Sequence, residues 1–352
     1  MDEAEAFADE VFHRLVGGFE ILSIYVGDRL GLYRALVERP RTVSELAEAT
    51  GMHPRYAREW LEQQATAGIL TADGDMFALP PARAAVLADP DSLLSSAPLA
   101  RMMAAAAMRL PELLTAYRSG GGVGWAAFGP DARDAQGDVN RPWFEQRLGA
   151  ALSSVPDVDA VLSRPGACIA DVGCGHGWST IALARAYPSA KVEGFDIDAP
   201  SLEAARMHAE GVASVSFTLL DGERLDQGRE GTFDAAFVFE ALHDMPDPVA
   251  VLTAVRRSLR PDGVLVVMDE AVADVFAPSG DGAPGDDIER IMYGYSLFIC
   301  LPDSMSTPGS VATGTVMRQP TLERYARGAG FSRVEVLPIE GFAAFRFSAL
   351  RP

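Results

Sequence analysis

The sequence is poor in lysine, in cysteine and in long apolar runs. Lys191 is its only lysine, and its 30 basic residues face 49 acidic ones, which gives a formal net charge of −19. A surface of this sign disfavours nucleic-acid backbones and anionic membranes, because both bind basic patches. No apolar run approaches the ~20 residues that a membrane-spanning helix requires. We therefore expect a partner other than nucleic acid or a bilayer.

The three cysteines, Cys168, Cys174 and Cys300, show neither metal-ligand spacing nor even pairing. Such usage is typical of a reducing compartment. The acidic start, MDEAEAFADE, lacks the basic and apolar regions of a secretory signal. We expect a cytoplasmic protein with no metal.

The chain is long enough for two domains. It has 352 residues, 48% of them apolar, and one domain takes about 100–200 residues. We place an N-terminal helical and winged-helix domain at residues 1–90, a helical connector or lid at 91–155, and a larger α/β domain at 156–352.

Residues 4–37 follow a helical period with a broad apolar face. The residues on that face are Phe12, Leu15, Val16, Phe19 and Leu22. A terminal helix of this kind packs either on a second subunit or on its own domain, and both interpretations stay open. The partner that we expect is a second copy of the chain, in a homodimer through the N-terminal domain.

Residues 42–79 predict a helix, a turn, a second helix and a hairpin, which is the order of a winged helix. Ser44 is placed to cap the first helix and Gly51 to end it. Pro54 begins the second helix, and Asp-Gly at the hairpin tip suits a tight turn. A winged helix serves DNA recognition or dimerisation. Residues 42–82 hold six acidic residues and two arginines, the wrong sign for a DNA reader.

Residues 92–150 predict a helical connector with the glycine cluster SGGGVGWAAFGPDARDAQGD. Its small residues favour a mobile segment that covers a cleft. Trp143 and Phe144, which follow the cluster, are candidates for the wall of a substrate pocket. Packing alone is the simpler explanation for each of them.

From residue 167 onwards, short apolar runs alternate with helical stretches. Such alternation predicts a parallel sheet with helices on both faces. The predicted strands are 167–172, 191–197, 214–220, 233–239 and 263–268. The closing stretches RVEVLPI and FAAFRFSAL predict an antiparallel pair at the sheet edge.

The first of these strands runs into DVGCGHGWS, a glycine-rich turn before a helix. Gly173, Gly175 and Gly177 allow the backbone to approach a nucleotide-like ligand closely. The alternative, a dinucleotide motif, has a longer gap between its second and third glycines. Asp171 precedes the turn, where its charge repels a pyrophosphate and attracts a cationic amino-acid group. S-adenosylmethionine carries an ammonium, a sulfonium and no phosphate, so the turn favours this ligand.

Two further acidic residues follow the next two strands. Asp196 is placed to accept hydrogen bonds from a ribose diol. Asp221 is placed to accept from an adenine amino group, and Gly222 allows a close backbone approach. Singly, each acid would be explained as a solvated carboxylate or a helix cap. Together with the glycine turn they predict a cofactor crevice.

On these motifs, residues from about 156 to 352 resemble a class I S-adenosylmethionine-dependent methyltransferase. The whole chain is similar to the two-domain small-molecule O-methyltransferases that carry a winged-helix dimerisation domain, including an actinobacterial group. The resemblance implies a seven-stranded Rossmann-like catalytic domain, with S-adenosylmethionine as methyl donor and S-adenosylhomocysteine as product. It places the glycine turn at the methionine end of the cofactor, Asp196 at the ribose and Asp221 at the adenine.

The fourth strand ends at Phe239 and Glu240, which we expect at the methionine half of the crevice. The stretch ALHDMPDP follows, in which Asp247 and Pro248 are placed to begin a helix. His243 is thereby left in the loop at the ligand-binding edge of the sheet. An imidazole titrates near neutrality, so it suits the removal of a proton from a hydroxyl.

The resemblance implies more about this loop. His243 and Asp244 match a His-Asp pair whose histidine is the family's base, and Glu270 matches the acid that orients it. The family often has a lysine where this chain has Phe239, whose ring suits a cation–π contact with a sulfonium. The alternative is that His243 only donates to a backbone carbonyl, in an enzyme that methylates nitrogen or carbon without a base.

A helix after the fifth strand supplies an apolar wall that suits an aromatic or polyketide-like hydroxyl compound. Its candidate pocket residues are Met292, Tyr293, Tyr295 and Phe298. The sequence thus predicts O-methylation of a small molecule. Two alternatives stay open: a transcription regulator that senses the cofactor, and a protein that binds the cofactor without transferring its methyl group.

Overall fold

The computed structural model describes residues 2–278, 284–340, 342 and 344–352. This part of the chain divides into two compact units. The first contains the residues up to Ala105 together with Asp134–Pro142, and the second contains Ala106–Arg133 and Trp143–Pro352. The predicted connector, 91–155, therefore contributes residues to both units.

Helices make up most of the first unit and flank the sheet of the second. They are α1 (Glu3–Arg29), α2 (Leu32–Glu38), α3 (Val43–Thr50), α4 (Pro54–Thr66), α5 (Pro81–Leu87), α6 (Ala97–Ala107), α7 (Leu110–Ser119), α8 (Trp125–Trp143), α9 (Gly149–Ser153), α10 (Pro156–Leu162), α11 (Trp178–Ala186), α12 (Ala199–His208), α13 (Pro248–Ser258), α14 (Asp287–Tyr295), α15 (Leu301–Met305) and α16 (Gln319–Gly328). In the part of the chain that the structure describes, none of them is long and apolar enough to cross a membrane.

The strands form a two-stranded hairpin and a seven-stranded sheet. They are β1 (Thr71–Asp73), β2 (Met76–Ala78), β3 (Cys168–Val172), β4 (Lys191–Asp196), β5 (Val215–Leu219), β6 (Phe233–Phe239), β7 (Leu259–Glu270), β8 (Arg333–Val336) and β9 (Phe345–Arg351). The five predicted strands and the predicted C-terminal pair are confirmed.

The large sheet has the order β5-β4-β3-β6-β7-β9-β8. Strands β3 to β7 are parallel, whereas β9 runs antiparallel to both β7 and β8. Every residue of β6 is buried, which is typical of a central parallel strand with helices on both faces. The predicted Rossmann-like class with an N-terminal winged-helix domain is confirmed.

The first unit contains the predicted winged helix, with one correction at its first cap. The Thr42 hydroxyl accepts the Glu45 N–H at 3.3 Å, and the Glu45 carboxylate accepts the Thr42 N–H at 2.8 Å. The prediction of Ser44 as the cap was wrong, because a cap needs extended backbone outside the helix and Ser44 lies in the first turn. Gly51 ends α3 with φ of 71° and Pro54 begins α4, as predicted.

The predicted helical stretch 4–37 forms two helices. It breaks at Gly31, whose φ of 67° is left-handed, a conformation that costs glycine little. Gly27 is the residue of α1 that packs most closely on its own unit. A Cβ atom at this position would lie 2.6 Å from both the Trp60 and the Tyr33 rings.

We predict that Gly27→Ala destabilises the first unit by about 1–3 kcal/mol, because the added methyl group overpacks the contact with Trp60 and Tyr33. Gly17→Ala is the matched control, since no atom lies within 4 Å of a Cβ placed there, and alanine favours a helix interior over glycine by about 1 kcal/mol. Urea unfolding followed by circular dichroism measures both variants. Equal midpoints for the two would contradict the packing that we describe.

Candidate active site

The loops that follow the parallel strands meet at one edge of the large sheet. After β3 the chain turns through Gly173 and Gly177, which both have φ of 76°. A Cβ atom on Gly177 would lie 2.7 Å from the Phe217 ring, and one on Gly173 would lie 2.7 Å from the Ala241 side chain. Gly175, with φ of 49°, faces open space. The first and third glycines are thus needed for packing, and the middle one leaves the turn accessible.

Asp171 is fully buried beneath this turn. Its Oδ2 accepts hydrogen bonds from the Ser179 and Thr180 hydroxyls, both at 2.6 Å. Its Oδ1 is buried with no hydrogen-bond partner among the described residues. Burial raises the pKa of Asp171 to about 6. The buried oxygen is an acceptor that a nearby donor would satisfy.

Asp196 ends β4 and is held by backbone donors on both oxygens. The Gly175 N–H donates to Oδ2 and the Asp198 N–H donates to Oδ1, each at 2.8 Å. Each carboxylate oxygen has a second lone pair, so Asp196 keeps acceptor capacity for a ligand diol. Burial raises its pKa, and the two N–H groups oppose that rise.

Asp221 and Gly222 follow β5. Asp221 is exposed, and its Oδ1 accepts the Glu223 N–H at 3.1 Å. A Cβ atom on Gly222 would lie 3.0 Å from the Val172 side chain. The structure therefore leaves Asp221 accessible at the same sheet edge, next to a backbone that glycine keeps close to β3.

His243 is buried in the loop after β6, with carboxylates on both sides of its ring. Nδ1 lies 2.8 Å from Oδ1 of Asp269 and 3.3 Å from Oε2 of Glu270. Nε2 lies 3.3 Å from Oδ1 of Asp244. The structure thus brings together the three predicted residues, His243, Asp244 and Glu270, and adds Asp269 as the nearest acid.

This arrangement favours a charged imidazole. Burial alone would lower the pKa of His243, but the charges of Asp244, Glu270 and Asp269 outweigh burial and raise the pKa well above 6.5. The positive charge of His243 holds the pKa of Asp269 low, against the effect of burial. Burial raises the pKa of Glu270 well above its usual range. We refer to His243, Asp244, Asp269 and Glu270 as the acidic cluster, in which the carboxyl groups favour the protonated form of the imidazole.

Asp303, on α15, is a further acid near this cluster. Burial and the charge of Asp244 raise its pKa to about 7. Its Oδ1 accepts the backbone N–H of Trp125 at 2.7 Å. Cys300 lies beside His243 and Asp244, and burial raises the pKa of its thiol above the usual range.

Two overlapping groups of side chains place possible metal ligands within 4.8 Å of one another. They are His243 with Asp244 and Cys300, and His243 with Asp269 and Glu270. Donor sets of this kind suit a cation such as Zn²⁺. His243 Nδ1 is hydrogen-bonded to Asp269 at 2.8 Å, so hydrogen bonding within the cluster accounts for part of this grouping, and our expectation of no metal stays a prediction.

The aromatic residues that precede the cluster in sequence are core residues. Trp143 and Phe144 are 4% and 7% exposed. Trp143 stacks on Phe342 with ring centroids 4.6 Å apart, and Phe144 packs on Phe239 at 5.3 Å. Both side chains are thus held by core packing, and their contribution to a substrate pocket stays a prediction.

The predicted pocket residues after β7 differ in their surroundings. Met292 is buried, Phe298 is 38% exposed, and the hydroxyl of Tyr293 accepts a hydrogen bond from Arg318 at 3.1 Å. Burial and the charge of Glu240 raise the pKa of Tyr295 to about 12.

Glu240 itself has φ of 49°, an uncommon conformation for a residue with a side chain. Such strain often marks a functional position. Glu240 follows directly on β6, and its N–H donates to the Met268 carbonyl at 2.8 Å.

The winged helix presents little free positive charge. Arg55 forms an ion pair with Glu59, and Arg58 forms one with Glu62 at 3.3 Å. These are the two arginines of residues 42–82, and each is neutralised on its own helix. The pairing adds to the charge argument against DNA binding.

Two acids near His243, Asp269 and Asp303, were not predicted from the sequence. Asp269 precedes the predicted Glu270, and the alternation of side chains along a strand would place only one of the two near His243. Because β7 ends here, Asp269 and Glu270 both come within 3.3 Å of Nδ1 of His243. Asp303 follows a short helical stretch with no chemical motif around it. Asp269 could have been identified from its position at a strand end, whereas no sequence signal marks Asp303.

Comparisons with known proteins identify the domains of this chain. A family model described as a methyltransferase domain matches residues 169–263, and a model described as an Rv2258c-like winged HTH domain matches residues 19–89. The mitomycin biosynthesis 6-O-methyltransferase of Streptomyces lavendulae is 30% identical over 296 residues, which cover 78% of this chain and 81% of the relative.

Solved structures share the fold over the whole chain. The mitomycin 7-O-methyltransferase MmcR has a TM-score of 0.72 at 23% identity, covering 99% of both chains. Human N-acetylserotonin methyltransferase, solved in complex with S-adenosylmethionine, has a TM-score of 0.71 at 18% identity, covering 100% of this chain and 98% of the other. At these identities the likeness concerns the fold alone.

We predict that Asp269→Asn lowers the pKa of His243, because the variant removes the carboxylate charge that lies nearest to Nδ1, at 2.8 Å. The pKa of His243 in the folded state exceeds the unfolded value, so its stabilising charge is fully present below pH 6.5 and is lost as pH rises through the raised pKa. The NMR titration of the His243 ring protons measures the change. The exposed His13 is the internal control, and an unshifted His243 titration would contradict the assigned charges.

Proposed function

The chain belongs to the two-domain S-adenosylmethionine-dependent O-methyltransferases, and we propose that it methylates a hydroxyl of a small aromatic or polyketide-like compound with His243 as the base. The single observation that carries the proposal is the His243 ring at the sheet edge, held at Nδ1 by Asp269 at 2.8 Å. Fixing Nδ1 leaves Nε2 as the nitrogen that can face a substrate.

The residues at the sheet edge fit the methyl donor of this family. When bound, S-adenosylmethionine supplies an electrophilic methyl group on a sulfonium. The buried, unpartnered Oδ1 of Asp171 suits its ammonium end, and the open surface of Gly175 leaves room for the ligand. Asp196 keeps lone pairs for the ribose diol, and the exposed Asp221 suits the adenine amino group.

The proposed reaction requires the protein to orient a substrate hydroxyl and to remove its proton. Asp269 orients the His243 ring, and Glu270 adds a second contact at 3.3 Å on the same nitrogen. Asp244 stands at Nε2, where a substrate hydroxyl would bind. A hydroxyl loses its proton when it is methylated, and a closely held imidazole suits the removal of that proton, which supports a hydroxyl acceptor.

The substrate class follows from the surroundings of the cluster. Tyr295 lies near Glu240 and Cys300, and Met292 packs one turn earlier on α14. The relative named as a 6-O-methyltransferase of mitomycin biosynthesis supports a small-molecule hydroxyl acceptor. Such a compound would stack on apolar walls and place its hydroxyl at Nε2 of His243.

We further propose that the protein is a homodimer through α1. This helix has 27 residues and a row of exposed apolar side chains that no described residue covers. They include Phe7, Phe12, Leu15 and Phe19, which are 58%, 61%, 55% and 64% exposed. A contiguous apolar stripe of this length marks an interface, and a second copy would supply a matching stripe through two-fold symmetry.

We predict that His243→Gln lowers methyl transfer to hydroxylated aromatic compounds by about 10²–10⁴-fold, the usual contribution of a general base. The wild-type kcat/KM, which reports the free enzyme, should rise with pH through the raised His243 pKa, because only the neutral imidazole accepts a proton, and the variant should lose this rise. Transfer of a labelled methyl group to a panel of phenols, naphthols and catechols is the measurement.

Calorimetry with S-adenosylhomocysteine should show unchanged binding in His243→Gln, which assigns the loss to chemistry. His13→Gln, an exposed histidine of α1, is the control variant. A glutamine variant that methylates a hydroxyl at the wild-type rate at every pH would exclude His243 as the base.

We predict that the double variant Phe12→Glu and Phe19→Glu is monomeric, because each carboxylate would have to be buried unpaired in the interface. Sedimentation equilibrium should give twice the chain mass of 37.5 kDa for the wild type and the chain mass for the variant. Tyr56→Glu is the matched control, since Tyr56 is an exposed aromatic residue, 73% exposed, on α4 of the same unit. A monomeric wild type would refute the dimer.

A further inference from the structure

A segment of the predicted connector, residues 120–133, is fixed to α15 at its N-terminal side. We refer to residues 120–133 as the strap. The Val123 N–H donates to the Pro302 carbonyl at 2.9 Å, and the Trp125 N–H donates to Oδ1 of Asp303 at 2.7 Å. Gly122 makes this contact possible, because a Cβ atom there would lie 2.0 Å from the Pro302 oxygen. One end of the strap is therefore bound beside the acidic cluster.

The other end of the strap is bound to the loop after β4. Arg133 donates from Nε to Oδ2 of Asp198 at 2.7 Å and from Nη2 to Oδ1 at 2.9 Å. The two side chains are 13% and 12% exposed. A two-pronged, largely buried pair of this kind is stronger and more directional than an exposed ion pair.

Asp198 connects this ion pair to Asp196. Its backbone N–H is the donor to Oδ1 of Asp196 at 2.8 Å, and its side chain also accepts the Ser201 N–H at 3.0 Å at the start of α12. Burial alone would raise the pKa of Asp198, but hydrogen bonds from Arg133 and Ser201 outweigh burial and lower the pKa. Arg133 thus stabilises the loop conformation that aims the Asp196 carboxylate.

We propose that Arg133 is a positioning residue for cofactor binding. Arg133 holds the Asp196–Asp198 loop in its binding conformation and binds the strap to this loop. The proposal rests on the assignment of Asp196 to the ribose under the proposed function. The strap spans from Asp303, beside the His243 cluster, to Asp198, beside the ribose position. Loss of Arg133 removes one anchor of this span and leaves Asp198 without its cationic partner.

The test compares Arg133→Leu, Arg133→Lys and Asp198→Asn with the wild type in binding S-adenosylhomocysteine. We expect Arg133→Leu to raise the Kd about tenfold, the effect of losing roughly one net hydrogen bond to a charged group. Lysine keeps the positive charge but cannot form the two-pronged hydrogen bond. The Kd of Arg133→Lys should therefore lie between those of the wild type and Arg133→Leu. Calorimetry gives Kd, and stopped-flow tryptophan fluorescence should assign the change to faster dissociation.

Three further readouts separate positioning from a merely structural role. The Kd should stay raised at temperatures well below the melting temperature of the ligand-free variant, which Arg133→Leu lowers because it leaves the Asp198 carboxylate unpaired. The KM for S-adenosylmethionine should rise while kcat changes less than about twofold. The double variant Arg133→Leu with Asp198→Asn should bind no more weakly than Arg133→Leu alone, because the two residues act through one contact.

Arg185→Leu is the control, since Arg185 forms a 2.9 Å ion pair with Glu145 in the same unit, at 53% exposure, away from the loop. An unchanged Kd in both Arg133→Leu and Arg133→Lys would overturn the proposal, and Arg133→Lys decides if Arg133→Leu does not fold. Asp196→Ala distinguishes the two levels of failure. If Asp196→Ala and the Arg133 variants all bind S-adenosylhomocysteine normally, the ribose assignment is wrong. If Asp196→Ala binds it weakly and the Arg133 variants bind it normally, only the role of Arg133 is wrong.

Discussion

The parallel pairing of β6 with β7 is the constraint on which the candidate active site depends. Phe239 pairs with Met268 at the carboxyl end of the two strands, and the Glu240 N–H extends the pairing by one further hydrogen bond to Met268. His243 follows β6 and Asp269 lies at the end of β7, so the register of the two strands and the turn after β6 together set their separation. A slip of one residue would reverse which face each side chain meets. The polar site is therefore positioned by the apolar packing of two buried strands.

The buried charges of the cluster are stable only when each has its charged partner beside it. An isolated buried carboxylate or imidazolium is costly to desolvate, and the removal of one partner leaves the other unpaired. Here His243 holds the pKa of Asp269 low, while burial raises the pKa of Glu270, so the two acids favour different protonation states. This division of protons among adjacent acids is what permits several carboxyl groups to share one buried place.

Features that local pattern determines were predictable from the sequence, and features that distant contacts determine were not. The strand 233–239 and the helix start at Asp247 and Pro248 follow from neighbouring residues, and both are confirmed. The cap at Thr42 was misassigned by two residues because Ser44 has the same chemistry. Asp303 and Arg133 could not be identified, since their partners lie far along the chain: 178 residues separate Trp125 from Asp303, and 65 separate Arg133 from Asp198.

The same acids that hold His243 also oppose its proposed role, since an imidazolium has no lone pair with which to accept a proton. The resolution lies at Nε2. Under the proposed function, a substrate hydroxyl at Nε2 would displace Oδ1 of Asp244, now 3.3 Å away, and would weaken one of the interactions that raise the His243 pKa. In the proposed complex a nearby sulfonium lowers the pKa further, because like charges disfavour the protonated form. Asp269 stays bound at Nδ1 throughout and keeps the ring in place. His243 then becomes a base only once both reactants are bound, which would confine proton removal to the complex that can use it.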